Sequence, residues 1–447
     1  MYRDEDLEII NNNLSNLEKK AETIYLKNYE PTLDEINNVY EIVKNYVRKN
    51  NLIIYGGFAQ NSLIKAQNEK DGFYGETDIA DIEFYSPEPI KDMIKLCDIL
   101  YEKKFKYVEG SEGVHPETYK IFVNFINYCD ISYMSQNIYD NCPTIKIDGM
   151  RMCHPHFMIV DAFRVYTDPM TSYFRLTKTF TRFNKLIKYY PFNENTIYNK
   201  IEYKTTLSEK EYDNIYNFIK NELLQKMKLI VVGHHGFNRL ISKSNIDKKF
   251  KIEEPFFQVI SIDFDNERNN ILKLLKQKFG NSIFYKKYNP FFSFLDKSVE
   301  FFYKNQLILR LYGNNERCTI YKQSEKTKIY HGAFQLQILY ALINYNLAII
   351  RQNNFNKNVY MTIITRLLLA RDTFLNKHHM NILSDSPFEE FIINCIGKPI
   401  NPLRQARLNK IEKKKKGKII TFRYNPTGKP GKIPNFNFKN SSGNIYK

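Results

Sequence analysis

The sequence predicts an α+β chain: a helical start, two tandem copies of one strand–turn–helix module, and a basic tail. Three observations predict it. Residues 52–65 read LIIYGGFAQNSLIK and, after a polar loop, residues 77–86 read TDIADIEFYS. Residues 229–242 read LIVVGHHGFNRLIS, which repeats the first run in register: Leu-Ile, a β-branched residue, Gly, Asn five on, then Leu-Ile. The formal charge is +17, yet residues 398–447 hold fourteen Lys and Arg against Glu412 alone, so +13 of it sits in the last fifty residues.

The elements follow in order. Residues 1–50 are expected to be helical, because Leu7, Ile10, Leu14 and Leu17 recur at helical spacing, as do Ile36, Val39, Val43 and Val47. Asp34 and Glu35 suit the first turn of the second helix. Residues 51–200 form the first module. Leu52 to Tyr55 is a strand that meets Gly56-Gly57, and Asn61, Leu63 and Ile64 open a helix. Ile90 to Phe105 is read as a helix and Lys120 to Met134 as one strand. Helices over His156–Tyr166 and Tyr173–Tyr189 flank Asp168-Pro169. Residues 201–390 form the second module. FFQVISIDFD (256–265) sets Asp263 and Asp265 in Asp-x-Asp spacing, with a helix from Asn270 to Phe279. The strand Asn305–Tyr312 falls where a third acid would sit but carries Arg310, so this copy reads as degenerate. Residues 331–380 look helical. Residues 391–447 read as a basic, partly disordered arm for a polyanion such as RNA.

The chemistry concentrates in the first module. Asp81 and Glu83 are two apart, so on a strand their carboxylates share a face. Two carboxylates that close repel unless a cation lies between them. Asp130, in an otherwise apolar strand, needs a partner or a metal. Three such acids can hold two Mg²⁺ or Mn²⁺ ions against a nucleoside triphosphate. Gly56 and Gly57 allow backbone to approach phosphate, and the following helix start supplies N–H groups and positive dipole. Asn61 either caps the helix start or bonds the loop or phosphate. Arg175, Lys178 and Arg182 form a cationic row on one helix face, a candidate triphosphate contact or a solvated surface. His154, His156, His234 and His235 read as structural.

These residues resemble the nucleotidyltransferase superfamily that includes poly(A) polymerases: a strand, a Gly-Gly turn into a helix, Asp81-Ile82-Glu83, and Asp130 on a later strand. YGGFAQN, DIADIEFYS and GMRMCHPHFMIVDAFRVYTDP are similar to the poxvirus and giant-virus poly(A) polymerase catalytic subunits. The resemblance implies template-independent addition of AMP from ATP to an RNA 3′ end, by a two-metal mechanism on Asp81, Glu83 and Asp130. It implies Gly56 and Gly57 on the phosphates, and an inactive second module. It also implies either a homodimer, as in giant-virus relatives, or a separate processivity subunit, as in poxviruses. Its cellular place would be a cytoplasmic viral factory or the virion. Two alternatives stay open: a uridylyl-, CCA- or oligonucleotide-signal-forming enzyme, and a non-catalytic RNA-binding processivity protein.

Composition narrows the class. At 447 residues and 43% hydrophobic the chain can bury more than one core. No apolar run is long enough to span a bilayer. The acidic start (MYRDEDLEII) is unlike a secretion signal. Six scattered cysteines without a C-x-x-C pair are expected as free buried thiols. Trp is absent while Tyr and Phe reach 33 each, a bias that fits an AT-rich genome.

Overall fold

The computed structural model describes residues 3–28, 33–75, 78, 80–115, 117–193, 203–244, 246, 248–314, 317–416 and 422–434. The end of the basic arm, 435–447, lies outside the described residues. The chain divides into two compact units. Unit 1 holds residues 1–133, 146–152 and 421–435; unit 2 holds 134–145, 153–420 and 436–447.

Unit 1 begins with α1 (Asp4–Asn28) and α2 (Leu33–Lys49). Both expected helices form, but differently. Ile36, Val39, Val43 and Val47 of α2 are buried, whereas Leu7, Leu14 and Leu17 of α1 are exposed. The central sheet uses β1 (Ile53–Tyr55), β2 (Ile82–Ser86), β3 (Glu109–Glu112), β4 (Thr118–Val123), β5 (Ile126–Tyr133), β6 (Thr144–Ile147), β7 (Met150–Cys153) and, from the far end of the chain, β16 (Arg423–Tyr424). Their order is β16-β3-β4-β5-β2-β1-β7-β6. α3 (Gly56–Lys65) follows β1 and α4 (Pro89–Glu102) follows β2. Ile53, Ile54, Ile82, Phe84, Ile131 and the α4 residues Met93, Leu96 and Leu100 are buried apolar core.

Two expectations change here. Lys120 to Met134 is two strands, because the chain reverses at Asn124 (φ 50°) and Phe125 (φ 68°) without a glycine or proline to announce it. The arm is also more ordered than its composition suggests. α14 (Pro402–Lys415) is helical, and β16 pairs antiparallel with β3. There Asp98 accepts hydrogen bonds from the Tyr424 hydroxyl and, at 3.1 Å, from the Gly431 N–H.

Unit 2 contains α5 (Gln136–Asn141), α6 (Pro155–Tyr166), α7 (Pro169–Ser172), α8 (Leu176–Tyr189), α9 (Glu209–Phe218), α10 (Gly233–Ser244), α11 (Phe264–Phe279), α12 (Phe334–Ile350) and α13 (Asn354–His378). Its sheet is built from β8 (Ile230–Val232), β9 (Phe257–Ser261), β10 (Ile283–Tyr288), β11 (Ser298–Tyr303), β12 (Gln306–Gly313), β13 (Thr319–Gln323), β14 (Tyr330–Gly332) and β15 (Cys395–Ile396). α12 is apolar on nearly every side and is buried accordingly. The expected boundary near residue 200 moves to 153, since α6 belongs to unit 2. Asn346 on α12, for instance, donates to the His156 carbonyl at 3.1 Å. Cys318 and Cys395 form a disulfide, which corrects the reading of six free thiols; the other four cysteines are free and buried.

The second sheet runs β10-β11-β12-β9-β8-β14-β13-β15. Strands 1 to 7 of the first sheet reappear seven numbers later in the same spatial order. The pairings agree too: β1/β2 and β8/β9 are antiparallel, β2/β5 and β9/β12 parallel, β4/β5 and β11/β12 antiparallel. The internal repeat seen in one strand–turn–helix therefore extends over the whole sheet.

Candidate active site and its degenerate copy

Register places the site residues. Tyr55 pairs with Glu83, Glu83 with Asp130, and Asp130 with Lys120, a row across β1, β2, β5 and β4. Neighbours in register point to one face, so both acids and the ammonium share a surface. Asp81 lies exposed one residue before β2, next to Ala80, whose carbonyl accepts from the Tyr40 hydroxyl.

Each acid already has a partner of its own. Asp130 receives two bonds from Lys120, at 2.6 and 2.7 Å, and a third from Asn127 at 3.0 Å. Glu83 accepts from the Gly57 N–H at 3.1 Å. Burial pushes its carboxyl up to about 7; the charges of Asp130 and Asp81 add to this, while the Gly57 N–H and Lys120 oppose it. Gly56 has φ +71°, and a Cβ there would stand 1.6 Å from the Glu83 Oε2. The turn must be glycine both to reach the left-handed region and to admit this carboxylate. Beside the row, Tyr55 and Tyr85 stack at 3.9 Å, and the Tyr55 hydroxyl meets Ser132, which meets Thr118.

The other expected site residues are placed as follows. The Asn61 side chain accepts from the Phe73 and Tyr74 N–H groups at 2.8 and 3.3 Å, tethering the loop ahead of Asp81. Asp78 accepts from the Gly75 N–H at 2.7 Å. Arg175 and Lys178 are exposed and Arg182 half-buried, all in unit 2. Lys120 was not anticipated; a cation two strands from the first acid has no local motif.

Glu83, Asp130 and Asp81 offer only oxygen donors, as Mg²⁺ prefers. A carboxyl that burial raises to about 7, with two further acids beside it, is a set that a divalent cation would relieve. Among the described residues no three ligands converge at coordinating distance, because Glu83 is turned to Gly57 and Asp130 to Lys120. The donor chemistry fits the metal.

The second module shows the same positions rewritten. Val232 pairs with Gln258, Gln258 with Arg310, and Arg310 with Glu300. Gln258 thus stands for Glu83, Phe256 for Asp81, Arg310 for Asp130 and Glu300 for Lys120. Gly233 keeps its positive φ (+67°), and a Cβ there would meet Gln258 at 1.8 Å. His234 replaces Gly57; its ring bonds Gln258 at 3.1 Å and Tyr203 at 2.6 Å. Burial, then the Arg310 charge, takes its pKa down to about 3. Arg310 bonds Glu300 at 2.8 Å through Nε, and the Gln258 amide donates to Tyr312 at 2.7 Å. A guanidinium where the third acid belongs excludes a divalent cation. Asp263 and Asp265 are not the counterparts of Asp81 and Glu83: β9 ends at Ser261, and both lie at the start of α11. The true guide is a serine. The Ser86 hydroxyl bonds Asp92 and accepts from the Glu88 N–H, and the Ser261 hydroxyl bonds Glu267 and accepts from the Asp263 N–H.

A Gly-Gly turn beside acids on two parallel strands is the arrangement of a nucleotidyltransferase, with one module that keeps the acids and one in which Gln258 and Arg310 replace them. Comparison with known proteins narrows the class. The family model of the poly(A) polymerase catalytic subunit matches residues 41–172, and that of the C-terminal part of the APMV poly(A) polymerase catalytic subunit matches 184–447. A protein of Acanthamoeba polyphaga mimivirus described as a poly(A) polymerase catalytic subunit is 30% identical over 491 aligned positions, covering 99% of this chain and 82% of that one. One of African swine fever virus (isolate Tick/Malawi/Lil 20-1/1983) is 31% identical over 163 positions, 35% of this chain and 34% of its own. The crystal structure of the Megavirus polyadenylate synthase matches with a TM-score of 0.94 at 31% identity, over 100% of this chain and 93% of that one. The chain belongs to the poly(A) polymerase catalytic subunit family, and its reaction is polynucleotide adenylyl transfer.

Proposed function

We propose that this enzyme adds AMP from ATP to the 3′ end of RNA without a template, on the face formed by Asp81, Glu83 and Asp130. The observation that carries the reading is the Glu83–Asp130 register pair beside the Gly56-Gly57 turn, present in one module and replaced by Gln258 and Arg310 in the other. The three acids would hold Mg²⁺, which neutralises the triphosphate and favours the 3′-oxygen as nucleophile. Glu83 must leave the Gly57 N–H as the substrate arrives, which frees that donor for a phosphate oxygen. Lys120 and Asn127 hold the Asp130 carboxylate in place on that face. Asn61 fixes the loop preceding Asp81. Most of the acceleration is then positioning and electrostatics.

Arg175, Lys178 and Arg182, with the basic residues of α14, are read as surfaces for phosphates of substrate or RNA. A homodimer or a processivity subunit would complete the assembly. No helix among the described residues is long and apolar enough to cross a membrane, and we assign the enzyme to the viral factory of the infected cell. Primer extension with ATP, CTP, GTP and UTP supplied separately tests the nucleotide assignment. A long ladder is expected with ATP alone; extension by another nucleotide would overturn it.

A further inference from the structure

The turn between β4 and β5 has two residues, Asn124 and Phe125, both at positive φ. Such a turn favours Asn-Gly, and a phenylalanine in the left-handed region is strained. Its ring gains little from folding, since Phe125 is 78% exposed. It stacks instead on Tyr107, itself 65% exposed and at φ 51°, with centroids 5.0 Å apart and planes 27° apart. The Asn124 N–H donates to the Lys106 carbonyl at 3.2 Å, tying the hairpin tip to the loop that carries Tyr107. Lys103, Lys104 and Lys106 around it are exposed. Strained backbone that holds exposed rings in place points to use rather than stability.

Position suggests the use. β5 runs from this tip to Asp130, five residues on, about 17 Å at strand rise. β2 is parallel to β5, with Ile82 opposite Cys129, so Asp81 faces the same end of the sheet as the tip. We propose that Tyr107 and Phe125, with Lys103, Lys104 and Lys106, form a base-stacking platform for the single-stranded RNA acceptor upstream of its 3′ end. Aromatic faces beside lysines suit a strand that offers bases and phosphates together. The proposal rests on the polyadenylation reading given above.

The chain has no Trp, so Phe125→Trp installs a lone indole. Titration with oligo(A) RNA should quench its emission over the same range in which a labelled oligo(A) gains anisotropy. Phe125→Gly suits the positive φ and should keep Tm no lower than wild type while weakening RNA binding about tenfold. Its KM for the RNA primer in single AMP addition should rise by a similar factor. No quench at saturating RNA, or Phe125→Gly affinity within twofold of wild type, would overturn the platform. A change in emission that tracks protein concentration without RNA would also overturn it and give the rings to a second copy of the chain. Wild-type protein that extends no primer would sink the polyadenylation reading instead, a result distinct from these.

Discussion

Glu83 carries two conflicting demands. It must be ionised to bind a cation, yet burial and two neighbouring acids hold its pKa at about 7. The folded state therefore favours the protonated form. Stability from this group is fully present below the ordinary carboxylate range and is lost as pH rises through about 7. Glu83→Gln mimics the protonated acid and keeps an acceptor for the Gly57 N–H. It should raise Tm at pH 8 by about 3–6 °C, leave it unchanged at pH 4.5, and abolish AMP addition. Equal Tm values at pH 8 by differential scanning fluorimetry would contradict this. Gln258 is the same replacement made in the second module. Asp81 differs because it is exposed, so Asp81→Ala should abolish activity with Tm within a degree or two of wild type.

At the scale of elements, the turns and the sheet register decide function. Gly56→Ala puts a methyl where the Glu83 carboxylate lies and forces a left-handed alanine. It should destabilise the fold by about 1–3 kcal/mol in urea unfolding and reduce AMP addition strongly. In the second sheet, Arg310→Leu leaves Glu300 buried without its guanidinium and should cost about 3–5 kcal/mol, largely recovered by adding Glu300→Leu. The strand–Gly–helix starts were legible because glycine and apolar runs are local signals. The β4–β5 reversal was not, since its turn residues are Asn124 and Phe125. The second-module acids were misplaced because Asp-x-Asp reads alike at a strand or a helix start. Aligning Ser86 with Ser261 gives the correct register.

For the whole molecule, the repeat could be read from the sequence, whereas assembly could not. Unit boundaries follow tertiary packing of α6 on α12, and β16 returns across hundreds of residues to pair with β3. Neither leaves a periodic trace. Lys120 and the charge-reversed Glu300–Arg310 pair emerge only when strands are set side by side. We propose that one of the two like modules does the chemistry. This is tested most directly by extending a labelled RNA primer with ATP, using wild type, Asp81→Ala and the Asp263→Ala/Asp265→Ala double variant. The ladder should vanish in Asp81→Ala and persist in the double variant. A ladder from Asp81→Ala, or its loss in a folded double variant, would contradict the account.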